Sequence, residues 1–163
     1  MDVEAVMDGE LRGLRRRRPE VTGAVLAGRD GLLISSDLPS TEAVHLAALS
    51  AVGFGLGHQV AHAVCRSGFR ESVVRTATAT VVTYPAGRHA LLTLVTGAAT
   101  DLEGLHEEAR AVADRAGSVV DTHRCGTGAT PVRQADGALA TRTPMTTLPR
   151  RVTRSTGRRR PPV

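Results

Sequence analysis

The spacing of hydrophobic residues along the chain predicts three helices and five strands. Three segments carry apolar residues at intervals of three and four, the spacing typical of amphipathic helices. Between them lie shorter segments rich in Val, Leu and Thr, residues that favour strands. The predicted order is a helix at 2–16, strands at 21–27 and 32–36, a helix at about 41–66, strands at about 71–77, 78–84 and 88–96, and a helix at 101–116.

Short turn signals between the strands indicate an antiparallel sheet. Asp30-Gly31 separates the first two strands and is a strong hairpin signal. Pro85-Ala86-Gly87 separates the last two strands, and Gly117 is expected to end the final helix. Parallel strands need much longer connections than these. The pattern therefore predicts an α/β fold with a five-stranded antiparallel sheet, the long helix on one face and two shorter helices on the other.

Alternating glycines at 53–57, in the sequence GFGLG, raise the question of a nucleotide-binding loop. The dinucleotide fingerprint places its glycines at a turn from strand to helix. Here the residues on both sides keep helical spacing, so the glycines lie within the long helix, where each costs about 0.5–1 kcal/mol relative to Ala. The chain also contains no Lys, which the phosphate-binding loop of NTPases and Schiff-base chemistry require. We therefore expect no nucleotide or cofactor site.

The two sides of the long helix are predicted to have different roles. One stripe is expected to face the core, with two glycines that bring the helix close to the sheet. This predicted core stripe comprises Leu46, Leu49, Gly53, Leu56, Gly57, Val60 and Val64. The opposite stripe lacks the charges of a normal solvent face, so we expect the same helix of a second copy to cover it. The predicted dimer interface comprises Val44, Ala47, Ala51, Gly55, His58 and His62. The alternative is an exposed, Ala-rich helix.

Charge divides the chain near residue 122. All 21 basic residues are Arg, and residues 1–122 hold 12 of them against 15 acids, a net charge of −3. Residues 123–163 hold nine Arg against one acid, a net charge of +8, and hydrophobic periodicity ends there. We therefore expect a folded domain at 1–122 and a disordered Arg-rich tail at 123–163. Such a tail either binds the phosphates of nucleic acid or anionic lipid weakly, or is a solvated extension.

Residues with catalytic or metal-binding potential form no recognisable set in the sequence. His58 and His62 have the spacing of zinc ligands on a helix, but Gln59 stands where a zinc protease needs Glu. The serines lack a nucleophile-elbow motif, and the two cysteines form no CxxC pair. We expect no catalytic residue and no metal ligand. We also expect neither a signal peptide nor a transmembrane helix.

The sequence resembles the bacterial members of the Roadblock/dynein light chain family. The resemblance covers about residues 2–120 and is carried by the hairpin GRDGLLIS at 28–35, the Ala-rich helix beginning near Ala43, and YPAGRHALLTLVT at 84–96. It implies a profilin-like fold and a homodimer that pairs the long helices and joins the two sheets. It also implies a non-enzymatic platform for small Ras-like GTPases, in modules of high-GC bacteria that include a sensor-kinase-like protein.

Pattern and resemblance together favour a cytoplasmic, non-enzymatic dimeric scaffold that binds a small Ras-like GTPase and modulates its nucleotide cycle in a signalling module. Two alternatives stay open. One is a protein that binds a polyanion, either nucleic acid or an anionic membrane, through the basic tail. The other is a sensor domain for a small ligand, which needs a pocket that the sequence does not reveal.

Overall fold

The described residues form three helices and five strands in the predicted order. A computed structural model describes residues 3–64 and 68–126. The elements are α1 (Val3–Arg17), β1 (Val21–Gly28), β2 (Leu33–Ser36), α2 (Ser40–Val64), β3 (Ser72–Arg75), β4 (Ala79–Ala86), β5 (Ala90–Gly97) and α3 (Leu102–Gly126). The predicted α/β class with a five-stranded antiparallel sheet is confirmed.

The sheet has the strand order β2-β1-β5-β4-β3, so β5 lies at its centre and the two shortest strands form its edges. Thr93 of β5 lies opposite Val25 on one side and opposite Thr83 on the other. The predicted hairpin between β1 and β2 turns at Gly31, whose φ of 83° lies in the region that favours glycine. The Asp30 carboxylate accepts a hydrogen bond from the Leu32 amide within this turn.

Two hydrophobic layers of unequal size cover the faces of the sheet. On one face, α1 and α3 pack side by side over the larger layer. Its fully buried members include Met7, Leu11, Leu14, Tyr84, Leu92, Leu94, Leu105 and Val112. On the other face, α2 packs over a smaller layer formed by Ala43, Ala47, Val25 and Ala27. The central strands are therefore buried on both faces, which is why they are apolar almost throughout.

Arginines at the end of α1 bind it to α3. The Glu108 carboxylate accepts hydrogen bonds from the Nε atoms of Arg17 at 2.5 Å and Arg18 at 2.6 Å. The bond from Arg17 is the main cause that lowers the pKa of Glu108 below its usual value, and the bond from Arg18 adds to it. Arg115 of α3 pairs in return with Glu10 of α1 at 2.9 Å. Arg17 and Arg18 therefore stabilise the contact between α1 and α3.

The final helix is longer than predicted. α3 continues through Gly117 to Gly126 and has 25 residues, as many as α2, so the predicted end at Gly117 is wrong. A Cβ at Gly117 would lie 2.2 Å from the Gly87 nitrogen and 2.4 Å from the Ala86 carbonyl carbon. Gly117 therefore permits a close crossing of α3 over the turn between β4 and β5, a packing role that the sequence does not distinguish from a helix stop.

Two predicted boundaries shift as a consequence of the three-dimensional structure. Pro85 and Ala86 belong to β4, and the turn occupies 87–89 with Gly87 at a φ of 64°. The predicted domain boundary at residue 122 lies within α3, because residues 123–126 form the end of that helix. The rest of the predicted disordered tail, 127–163, lies outside the described residues.

Candidate interaction surface on helix α2

Small side chains and one aromatic ring form the inner face of α2. Ala43, Ala47, Ser50 and Phe54 follow one another at intervals of four, three and four residues and are all buried. This spacing keeps them on one side of a helix. Because two of them are alanines, the helix axis lies close to the sheet, and Ala47 packs in the same cluster as Val25. The aromatic ring of Phe54 closes the far end of this face against Phe69 at 4.9 Å between centroids.

Large aliphatic side chains lie on the outer face of α2 and are left uncovered. Leu49, Val52, Leu56 and Val60, which we call the apolar ridge, are each between 54 % and 69 % exposed. Val44 and Val64 near the helix ends are exposed as well. Single exposed aliphatic residues are ordinary, but a contiguous apolar row on one helix marks an interaction site.

The predicted core stripe of α2 is wrong for most of its members. Leu49, Leu56, Val60 and Val64 are exposed, and only Leu46 packs partly against the core. The reason is that apolar residues occur on every side of this helix, so periodicity does not select the inward side. The row that starts at Ala43 could have indicated the inward side of α2, because its residues have the spacing of one helix face and its two alanines suit close packing on a sheet.

Five of the six predicted interface residues share one flank of α2, and the sixth, Ala47, does not. Ala47 is buried in the core and is unavailable to a partner helix. Ala51, Gly55 and His58 line a cavity on the flank of α2. Val44 and His62 are exposed on the same flank. Pairing of α2 with a second copy stays a prediction, and the surface best suited to it is the apolar ridge.

The glycines of the GFGLG segment lie within α2, as predicted, and have different environments. A Cβ at Gly57 would lie 2.4 Å from the ring of Phe69, so this glycine makes room for the aromatic side chain. Gly53 and Gly55 face open space, with no heavy atom within 4 Å of a Cβ. Packing against Phe69 therefore offsets the low helix propensity of Gly57. No packing within the described residues offsets the low helix propensity of Gly53 or Gly55.

The outer edge of the sheet offers a second unoccupied surface. Among the described strands β3 pairs with β4 alone, and its Val73 and Val74 are exposed. An edge strand presents unpaired backbone donors and acceptors that can join another strand. Both α2 and β3 therefore have the features of surfaces that meet another protein.

Several polar side chains with possible chemical roles have structural partners in the fold, whereas the buried Ser50 hydroxyl has no hydrogen-bond partner among the described residues. Ser35 bonds to the Asp8 carboxylate at 2.5 Å, and Ser36 donates to the Ala24 carbonyl at 3.2 Å. Burial raises the pKa of Tyr84, so its hydroxyl stays protonated, and it shares a hydrogen bond with Nδ1 of His106 at 2.8 Å. Within residues 3–64 and 68–126, no group of three or more His, Cys, Asp or Glu could hold a metal ion.

One described helix, α2, is long and apolar enough to cross a membrane by length and composition alone. The sequence was expected to contain no such helix. The inner face of α2 packs on the sheet, and the core helix of a globular domain can meet the same two criteria. α2 meets these criteria because its outer face is apolar as well as its inner face.

Comparison with known protein families decides the classification. The Roadblock/LC7 domain matches residues 7–96, more than half of the chain. The chain belongs to the Roadblock/LC7 domain family. A search of curated proteins finds no match to it.

Solved structures of Roadblock/LC7 proteins share this fold. A Roadblock/LC7 domain from Streptomyces avermitilis is 27 % identical, with a TM-score of 0.67 over 70 % of this chain and 97 % of that one. An MglB structure with a tetrameric arrangement is 19 % identical, with a TM-score of 0.67 over 75 % of this chain and 93 % of that one. The gliding protein MglB from Thermus thermophilus is 19 % identical, with a TM-score of 0.65 over the same shares. The two MglB likenesses concern the fold alone.

Proposed function

We propose that this Roadblock/LC7 protein is a non-enzymatic dimeric scaffold that binds a small Ras-like GTPase and modulates its nucleotide cycle in the cytoplasm of a bacterium. The observation that carries the proposal is the uncovered apolar ridge on α2, in a chain of this family. A sensor-kinase-like protein is a further expected member of the same module.

Self-association is supported by two unoccupied surfaces. Burying the exposed parts of the four ridge residues would contribute on the order of 1 kcal/mol for each side chain. Gly53 flanks the ridge, and no heavy atom lies within 4 Å of a Cβ there, so another helix could approach closely. The free edge of β3 could pair with its counterpart across the same dimer. A tetrameric arrangement in an MglB structure is consistent with self-association of this fold.

The GTPase would supply the nucleotide chemistry in this arrangement. The glycines of the GFGLG segment lie within a helix, and the chain has no Lys to contact phosphates. A protein of this kind would act by favouring one nucleotide state of its partner, which requires a different affinity for the two states.

Binding can be tested with a panel of bacterial small Ras-like GTPases loaded with GDP or with a non-hydrolysable GTP analogue. We expect co-purification that depends on the nucleotide and a changed rate of release of fluorescent GDP. Leu56→Asp should abolish both effects, because the charge that it places in the ridge would separate the dimer to which the GTPase binds. Ala111→Asp, at an exposed site on α3, is the matched control and should leave them unchanged. Binding by Leu56→Asp at full strength would contradict the proposal.

A further inference from the structure

A cavity of about 250 Å³ lies on the flank of α2, beside the turn between β1 and β2. Phe54 and Leu91 provide its apolar surface, and both are buried in the fold. Arg29, His58 and Gln59 provide its polar groups. An apolar floor with a few convergent polar groups is the usual composition of a small-molecule site.

Arg29 is held in place at this cavity by its backbone and its side chain. Its amide donates to the His89 carbonyl at 2.9 Å, and its guanidinium donates to the Gly87 carbonyl at 3.4 Å. The guanidinium carbon lies 5.5 Å from the centre of the Phe54 ring, a distance that permits a cation–π interaction. The charged group is therefore positioned beside the apolar floor.

No carboxylate of the described residues neutralises Arg29. The adjacent Asp30 is directed into its own turn, where it accepts a hydrogen bond from the Leu32 amide at 3.2 Å. By contrast, Arg17 and Arg18 share Glu108. An exposed guanidinium without a carboxylate partner among the described residues, next to an apolar floor, favours an anionic ligand.

The helix wall of the cavity is kept open by small residues. Ala51 and Gly55 lie along it, and a Cβ at Gly55 would meet no heavy atom within 4 Å. His58 and Gln59 follow on the next turn and can donate hydrogen bonds to a ligand. Gly55, which has no packing partner among the described residues, therefore contributes space to this cavity.

We propose that this cavity binds a small monocarboxylate with a compact apolar or aromatic body. The planar fork of Arg29 suits the two oxygens of a carboxylate, and the floor formed by Phe54 and Leu91 suits an apolar body. The volume is below the roughly 300–1,000 Å³ of pockets for drug-sized ligands, which favours a ligand smaller than a nucleotide. This binding activity goes beyond the proposed function and uses a different side of α2 from the apolar ridge.

The test is a titration of the full-length, ¹⁵N-labelled protein with benzoate, and with neutral benzamide as the matched ligand. We expect saturable shifts of the Arg29, Ala51, Gly55 and His58 amide signals, with benzoate binding at least tenfold more tightly than benzamide. Arg29→Gln should weaken benzoate binding at least tenfold and leave benzamide binding unchanged. Arg88→Gln, which removes a positive charge from the neighbouring turn, is the control and should change neither.

Equal affinity for the two ligands, shifts at other residues, or unchanged benzoate binding by Arg29→Gln would overturn the proposal. An equal loss with Arg88→Gln would also overturn it, since general surface charge would then explain the binding. An acidic side chain of a bound protein could present the same carboxylate. If a carboxylate of the bound GTPase occupies the cavity, saturating benzoate should displace the GTPase. If the ligand is a free small molecule, saturating benzoate should leave GTPase binding unchanged. Only this last comparison rests on the proposed function.

Discussion

Glycine residues within the helices of this protein have different local purposes. Gly57 leaves space for the Phe69 ring, and Gly117 leaves space for the backbone of the turn at Gly87. Gly9 of α1 faces open space, with no heavy atom within 4 Å of a Cβ. The effect of adding a methyl group should therefore differ in sign between these positions.

Gly117→Ala should destabilise the fold by about 2 kcal/mol or more, because the new Cβ would overlap backbone atoms that cannot move independently. Gly9→Ala should instead stabilise it by up to about 1 kcal/mol through helix propensity alone. Urea denaturation followed by circular dichroism measures both changes. A stabilised Gly117→Ala variant would show that α3 does not cross the turn this closely.

Asp121 joins α3 to the same turn through hydrogen bonds. Its carboxylate accepts bonds from the Arg88 amide at 2.9 Å and from Nδ1 of His89 at 2.8 Å. The bond from the Arg88 amide, followed by that from His89, lowers the pKa of Asp121 below its usual value. A carboxylate whose pKa is lower in the folded state stabilises the fold above the unfolded-state pKa, and this contribution is lost as pH falls through the folded-state pKa.

Asp121→Asn should therefore lower the free energy of unfolding at pH 7 by about 1 kcal/mol. The difference from the parent protein should narrow as pH falls below about 4, where an unfolded Asp begins to bind its proton. Asp114→Asn, whose carboxylate makes no hydrogen bond with the described residues, should show little difference at either pH. Thermal unfolding at pH 7 and at pH 3 measures these differences. A constant difference across this pH range would contradict the argument.

Among the helices, α2 differs from a usual amphipathic helix because most of its large aliphatic side chains face away from the sheet. Ala43 and Ala47 face the sheet, whereas the large aliphatic residues of the apolar ridge face outward. α3, which has the same length, buries Leu105, Val112 and Ala116 and exposes charged residues. Among the described helices, α2 has the outer face whose apolar composition is typical of an interaction surface.

Leu56→Asp should convert a dimer into a monomer, because the partner helix would otherwise bury the new carboxylate without a counter-charge. The monomer should keep the circular dichroism spectrum of the parent, since Leu56 takes no part in either core layer. Light scattering coupled to size-exclusion chromatography gives the mass, and Ala111→Asp serves as the control. A monomeric parent protein, or a Leu56→Asp variant that stays dimeric, would rule out pairing through the ridge.

Charge is unevenly distributed over the whole molecule. The segment after α3, 127–163, contains eight Arg and one acid, a net charge of +7, whereas residues 1–126 contain 13 Arg and 15 acids, a net charge of −2. Affinity for phosphates rises with the number of charges that are neutralised, and it falls steeply with salt. Binding through an apolar helix face should depend on salt much less.

Removal of 127–163 should therefore abolish binding to duplex DNA and to anionic vesicles while preserving GTPase binding. The thermal midpoint should change little, because the cut falls after the last residue of α3. Binding assays at low and high salt, with the full chain as the control, measure the two activities separately. Salt-sensitive DNA binding by residues 1–126 alone would place the polyanion site in the folded domain. Loss of GTPase binding would show that residues 127–163 take part in binding the GTPase.

Much of the fold could be predicted from local sequence signals. Asp30-Gly31 forms the predicted hairpin, and the strands and helices occur in the predicted order. The candidate site was predicted less well. The sequence indicated α2 as the interaction element, but it did not show which side of α2 faces the core. It also gave no indication of the cavity at Arg29, whose lining comes from separate parts of the chain.

By itself, the sequence determined the element types, the antiparallel pairing and the charge of the C-terminal segment, because periodicity, turn residues and ionisable side chains are local properties. Only the tertiary structure decided that Ala47 faces inward while Leu56 faces outward, and that Gly117 continues a helix rather than ending it. The physical reason is that burial and close approach depend on atoms distant in sequence. A residue's neighbours along the chain do not reveal whether a sheet, a turn or solvent lies opposite it.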